Sequence, residues 1–363
     1  MADSDNNKKK EGGPEPEQSR FLHRVVLFDG LTVLILLGVL AFWYAAGALL
    51  LVFAGVLLAI LLYEVSARLQ RRIGLPRGLA LALVLVALLL LCVLAGWLAA
   101  PRVAQQMSSL AQAVPDALLR LRQEAEKLGI FGPLAANLPS VEDVVSQLSS
   151  ILPKAGLFFS GIVGALGSAA IILFVGIYFA AQPQVYIEGL VTLAPRRHRR
   201  RAREVLEEIG RTLAQWLLGK VLSMIVVGVV TGIALALLGN PLALILGIIT
   251  GALDFIPYLG PIMAGVPAVL IAFTESPAMA LYTALVFVAV QMAEGYLLLP
   301  LVERRTVSLP PALTITMQVL LGTFFGLTGV ALATPLTAVL VVLVAMLYVQ
   351  DVLGDPVRTP SEQ

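Results

Sequence analysis

Asp254, Glu294 and Lys220 are ionisable side chains that each interrupt an apolar run. Asp254 lies in TGALDFIPYLGPIMAG, residues 250–265, just ahead of Pro257, Tyr258, Gly260 and Pro261. Glu294 lies in QMAEGYLLLP, with no charged residue between it and Pro277, and Lys220 lies in QWLLGKVLS. A carboxylate withdrawn from water holds its proton more tightly, so Asp254 and Glu294 are candidates for proton exchange near neutral pH. Lys220 is placed either to neutralise one of them or to snorkel toward an interface. The plain alternative for Asp254 is a hydrogen-bonded structural carboxyl. Pro257 and Pro261 remove two backbone donors, and Gly260 admits dihedrals closed to other residues. Half-helices ending at such a break form a site within the membrane, which Tyr258 would line. The other reading is a surface turn with Tyr258 as an interfacial anchor.

Other chemistries are poorly supplied. The only histidines, His23 and His198, lie in basic segments, so neither a membrane-embedded Ser–His pair nor an HExxH zinc pattern is available. An aspartyl dyad needs two carboxylates sharing a proton, and only one convincing intramembrane aspartate is present. Gly219-Lys220 is followed by Val221, which rules out a phosphate-cradling GxxxxGK[ST] loop. Cys92 is the single cysteine and excludes an internal disulfide framework. No catalytic residue, cofactor or metal is expected, and the chain is read as something other than an enzyme.

The elements that must position these groups follow from composition. Of 363 residues, 59% are hydrophobic and 13% charged, with a mean hydropathy of +0.92. Soluble domains are nearer a quarter charged. The apolar residues come in runs close to the ~20 needed to cross ~30 Å of hydrocarbon as a helix. Alternating ten-residue strands of an outer-membrane barrel are not seen. The expected fold is all-α, a polytopic membrane bundle of about 7–9 segments, some broken or re-entrant.

Along the chain, residues 1–22 read as a disordered cytoplasmic tail without a secretory signal. The apolar run from Leu27 to Tyr63 is too long for one span and suggests two helices with a reversal near Ala45 to Gly47. A third helix runs from about Leu79 to Ala99, completing membrane helices 1–3 over residues 23–100. Residues 101–155 have mixed polarity. Val103, Met107, Leu110, Val114, Leu118 and Leu121 are spaced for an amphipathic helix, with a second short piece at Val141 to Ile151. They read as a helical extracytoplasmic insertion.

Residues 156–350 hold the remaining membrane helices: Leu157–Ala181, Leu213–Leu238, the short pair Leu242–Phe255 and Ile262–Phe273, Ala278–Leu299, and Ala312–Tyr348, interrupted by GLTG at 326–329 and by Pro335. Between the first two lies a basic loop, 193–212; Val205, Leu206, Ile209 and Leu213, after its arginines, suggest an amphipathic helix entering the membrane. Residues 351–363 read as a second cytoplasmic tail.

Basic residues before the first helix, at Arg68 to Arg77, at Arg196 to Arg203 and at Arg304 and Arg305 fall on one side by parity. The positive-inside rule makes that side cytoplasmic, with both termini there. The arginine cluster also suits anionic lipid headgroups. Nucleic acid is not an expected partner, because no aromatic interleaving accompanies the cluster. Glycine pairs at 228/232, 247/251 and 322/326 permit close helix approach, within one bundle or between subunits of a homo-oligomer.

Five stretches carry a family resemblance: GLPRGLA at 74–80, LAPRRHRRRAREVLEEIGRTLAQWLLGK at 193–220, DFIPYLGP at 254–261, EGYLLLPLVERRTVSLPPALTI at 294–315 and GTFFGLTGVALATPLTAVL at 322–340. In order and spacing the chain resembles the autoinducer-2 exporter, PerM-like family of bacterial membrane proteins from about residue 25 to 350. It departs from the family at Lys220, where an uncharged polar residue such as Gln is more usual, and at Glu294-Gly295-Tyr296, where Glu-Gly-Asn is commoner. The resemblance implies export of a small polar signalling molecule, or sodium/proton exchange as in some relatives, in the bacterial cell (inner) membrane. With Asp254, Glu294 and the IPYLGP break at its centre, the expected function is secondary export coupled to protons or sodium ions. A passive pore and an oligomeric scaffold are the alternatives.

Overall fold

The computed structural model describes residues 16–91, 93–94, 97, 105–106, 155–298 and 309–355. The chain divides into two units, Met1–Leu50 and Leu51–Gln363. Every contact discussed below lies within the second. The elements are α1 (Pro16–Ile73), α2 (Arg77–Leu91), α3 (Ala155–Ala181), α4 (Pro183–Leu193), α5 (Arg199–Leu237), α6 (Ala243–Leu253), α7 (Leu259–Glu275), α8 (Pro277–Ala293) and α9 (Pro311–Leu343). A π-helical turn, Glu294–Leu298, extends α8, and another, Val344–Leu353, extends α9. Among the described residues there is no strand, so the protein is a polytopic helical membrane bundle. Four helices among the described residues are long and apolar enough to cross a bilayer, or five if the pair α3–α4, bent by 88°, counts as one. Ile225, Val229, Ile233 and Leu237 form an exposed stripe at helical spacing on α5, suited to lipid rather than water.

Several expectations are corrected. No reversal occurs near Ala45 to Gly47: α1 is one helix, starting at Pro16 inside the expected tail. None of Ala45, Ala46 and Gly47 is a proline, and a single glycine costs a helix only about 1 kcal/mol. The parity that set the amino-terminal basic residues beside Arg68 to Arg77 counted that reversal and loses its basis. A helix not foreseen, α4, fills the stretch between Ala181 and the basic loop, and α5 starts at Arg199 within that loop, so the amphipathic stretch and the fifth span are one helix. The carboxy-terminal helix runs on to Leu353, into the expected tail. The proposed insertion helices, apart from Gln105 and Gln106, lie outside the described residues, as do Arg304 and Arg305.

Two tight reversals organise the rest. At residues 254–258, Tyr258 takes φ +66° and the chain turns back, so that α6 and α7 form a hairpin. A Cβ on Gly260 would fall on the Leu253 carbonyl oxygen. At Gly326, φ +59° and ψ −144° break α9, and the limb after it returns along the limb before it; a Cβ on Gly329 would fall on Leu321 O. Length alone counts α9 as a single span, but the fold-back makes it two limbs, 311–325 and 327–343. Pro335 sits inside the second limb without breaking it. At 1.5 Å per residue, α6 and α7 reach only about 16 and 25 Å, short of a bilayer core.

The glycine stripes divide in the same way. Gly228 and Gly232 of α5 mesh with Gly247 and Gly251 of α6: a Cβ on Gly247 would lie 2.8 Å from Gly232 Cα, and one on Gly251 2.7 Å from Met224 O. These stripes are used inside the chain. Gly322 and Gly326 form no such seam, because Gly326 is the reversal itself.

One long-range clamp holds the start of α6. Gln106 donates from Nε2 to Pro241 O (2.8 Å) and accepts at Oε1 from Ile245 N (2.9 Å), satisfying a first-turn donor with no intrahelical partner. Replacing Gln106 with Ala is expected to cost about 1 kcal/mol and to speed amide exchange at Ile245. Unchanged protection there would remove the clamp from the account.

Candidate ion and solute site

The tip of the α6–α7 hairpin is wedged among α5, the end of α8 and the first limb of α9. Asp254, at the carboxyl end of α6, is 2% exposed. Its Oδ2 lies 3.0 Å from Lys220 Nζ of α5. The same ammonium lies 3.4 Å from Oε1 of Glu294, which is 7% exposed at the junction of α8 and its π-turn. Ser223, one turn beyond Lys220, donates its hydroxyl to Glu294 Oε1 at 2.7 Å. Gln318 of α9, fully buried, donates to the Pro257 carbonyl at 2.9 Å. Trp216 of α5 meets Phe255 edge to face at a centroid distance of 5.6 Å.

Among the residues singled out from sequence, Lys220, Asp254 and Glu294 come together in one buried cluster. Pro257 supplies a carbonyl to its edge, and Gly260 lets the hairpin close. Pro261 lies in the first turn of α7 and is part-buried. Tyr258 stays 45% exposed and serves the turn through its backbone. Asp254 is therefore not a loop residue washed by solvent; the structure holds it closed within protein.

The electrostatics are simple to count. Two carboxylates and one ammonium carry a net charge of −1 when all are ionised. In so dry a place one more cation, bound or shared as a proton, neutralises the cluster, whereas an uncompensated buried charge costs several kcal/mol. Arg211 and Glu208, paired at 3.0 Å, form a separate ion pair about three turns toward the start of α5.

A polar trail leads away from the cluster in the opposite direction. α5 and α8 run antiparallel from the Lys220–Glu294 contact, and Leu235 and Phe287 share a core cluster further along. Thr231 is eleven residues past Lys220, and Thr283 eleven before Glu294, which puts both about 16 Å from the cluster at one depth. Both threonines are fully buried, and neither hydroxyl has a partner among the described residues; Gln291 Nε2, one turn from Glu294, is likewise buried and without one. Sequence reading missed Ser223, Gln291, Gln318 and these threonines because neutral polar residues are common in membrane helices. The spacing of Ser223 from Lys220 and of Gln291 from Glu294, three residues in each case, was the available signal.

A helical membrane bundle with paired charges buried at a broken-helix tip fits a membrane transport protein. The model for the AI-2E family transporters matches residues 31–348, and the chain belongs to that family. It is similar to YueF of Bacillus subtilis (strain 168), named as a candidate transport protein, with 32% identity over 56% of this chain and 53% of the relative. YrrI of the same organism, similarly named, is 30% identical over 54% of this chain and 59% of its own length. The matching stretch thus spans little more than half of either Bacillus protein. PerM of Escherichia coli (strain K12), named as a candidate permease, is 26% identical over 85% of this chain and 90% of its own length.

Proposed function

We propose that this protein is a secondary exporter of a small polar, autoinducer-like molecule in the bacterial cell membrane, driven by protons or sodium ions. One observation carries the reading: Lys220 bridges Asp254 and Glu294 inside the bundle at 3.0 and 3.4 Å. A cation entering such a cluster frees the ammonium from one carboxylate, and its departure restores the bridge. Because the bridge ties α5 to the α6–α7 tip and to α8, its charge state is coupled to the helix packing around the tip. Gln291, Thr231 and Thr283 offer hydrogen-bonding positions along a route from the cluster, and their lack of protein partners suits groups that meet water or solute during transport.

The orientation proposed has Arg68 to Arg77 and Arg196 to Arg203 on the cytoplasmic side, with α2 and α3 as the two crossings between them. Arg201 bonds to Asp351 at 2.9 Å and to Met346 O at 2.9 Å, which supports a cytoplasmic carboxyl terminus. Arg200, 94% exposed at its side chain though paired with Glu204 at 3.1 Å, is placed to meet anionic headgroups.

The test is transport by purified protein in liposomes, with autoinducer-2 as the first solute. Flux should respond to an imposed pH or sodium gradient and fall at least tenfold in Asp254→Asn. Flux indifferent to both changes identifies a passive pore, and no flux of any solute identifies a scaffold.

A further inference from the structure

A cavity of about 520 Å³ opens where α1, α3, α4 and α5 meet, and it shares no residue with the charge cluster. Its nearest lining residue on α5, Ala214, is about 9 Å along the helix from Lys220. The walls are apolar and aromatic. Phe179 and Tyr186 pack with ring centroids 3.8 Å apart and their planes tilted by 40°, and Tyr63 presents a ring whose face already takes a cation: the Arg77 guanidinium lies 4.4 Å from its centroid.

The charges on the lining are unbalanced. Glu64 and Glu207 both line the cavity, and among the described residues neither carboxylate makes an ion pair or side-chain hydrogen bond. The one lining cation, Arg211, is held by Glu208 at 3.0 Å. Among the lining residues a free anion therefore finds no unengaged guanidinium, whereas a cation finds two carboxylates. Aromatic faces beside those carboxylates favour a soft, weakly hydrated cation over a metal ion. The volume lies within the range of pockets that enclose drug-sized molecules.

We infer that this cavity binds a lipophilic organic monocation, its charge between Glu64 and Glu207 and its apolar body against Phe179, Tyr186 and Tyr63. The site stands independently of ion-coupled export, because it uses none of Lys220, Asp254 or Glu294. A membrane phospholipid fits less well, since its phosphate would face Glu64 and Glu207 with Arg211 already engaged.

Equilibrium binding of tetraphenylphosphonium to the full chain in phosphatidylglycerol nanodiscs, with empty nanodiscs as the blank, tests this. Saturable binding is expected, weakened at least tenfold in Glu64→Gln/Glu207→Gln and insensitive to competition by uncharged triphenylphosphine oxide. Both carboxylates are partly exposed and the substitutions are isosteric, so the fold should survive; Glu207→Lys alone should act in the same direction. Full affinity in the double variant, displacement by the uncharged competitor, or displacement by added phosphatidylethanolamine would each overturn the inference.

Discussion

Lys220→Met is expected to cost the folded protein about 3–5 kcal/mol, because it strands two buried carboxylates without their shared cation. Asp254 and Glu294 are 2% and 7% exposed, so water does not stand in for the missing ammonium. Part of the loss should return in Lys220→Met/Asp254→Asn, which removes one of the two repelling charges. Thermal unfolding in detergent reads both effects, and coupled transport should be lost in the single variant. If Lys220→Met unfolds at the wild-type temperature, the bridge is not a buried ion pair and the site must be redrawn.

Gly260→Ala should be at least as damaging, for a steric reason. Its Cβ would coincide with the Leu253 carbonyl oxygen, and backbone on both sides of a tight hairpin has nowhere to go. Overpacking usually costs about 1–3 kcal/mol when side chains can shift, and more is expected here because none can. Gly265→Ala is the control: its Cβ would meet Cδ1 of Phe287 at 3.2 Å, a ring edge able to move by tenths of an ångström. The expected outcome is a loss of monodisperse protein for Gly260→Ala and near-normal yield for Gly265→Ala. Equal behaviour of the two would show that the hairpin does not close as described.

Much of this was legible in the chain. A charge within an apolar run is costly unless protein or water surrounds it, so Asp254, Glu294 and Lys220 announced themselves. Proline and glycine in IPYLGP, and glycine in GLTG, announced the two reversals. The meeting of Lys220 with Asp254 and Glu294 was not legible, because it depends on how two hairpins pack against α5. Run length misled at 27–63: too many apolar residues for one perpendicular crossing does not oblige a helix to turn where nothing breaks it. α4 was hidden by Glu188 and the arginines after it, although Pro183 at its first turn was a usable start signal. Gly322 and Gly326 show that a GxxxG spacing alone does not tell a packing seam from a turn.

The central claim is that the Lys220–Asp254–Glu294 cluster, closed within protein, opens to water from one side at a time as cations exchange. Cys92 is the only native cysteine, so Ser223→Cys in a Cys92→Ser background places one thiol beside Glu294. Labelling of that thiol by a membrane-impermeant reagent, added from each side of oriented proteoliposomes, is the most direct measurement. The account predicts slow labelling at rest, and faster labelling from a single side whose identity switches when the pH or sodium gradient is reversed. Rapid labelling from both sides at once, or none under any gradient that drives flux, would contradict it.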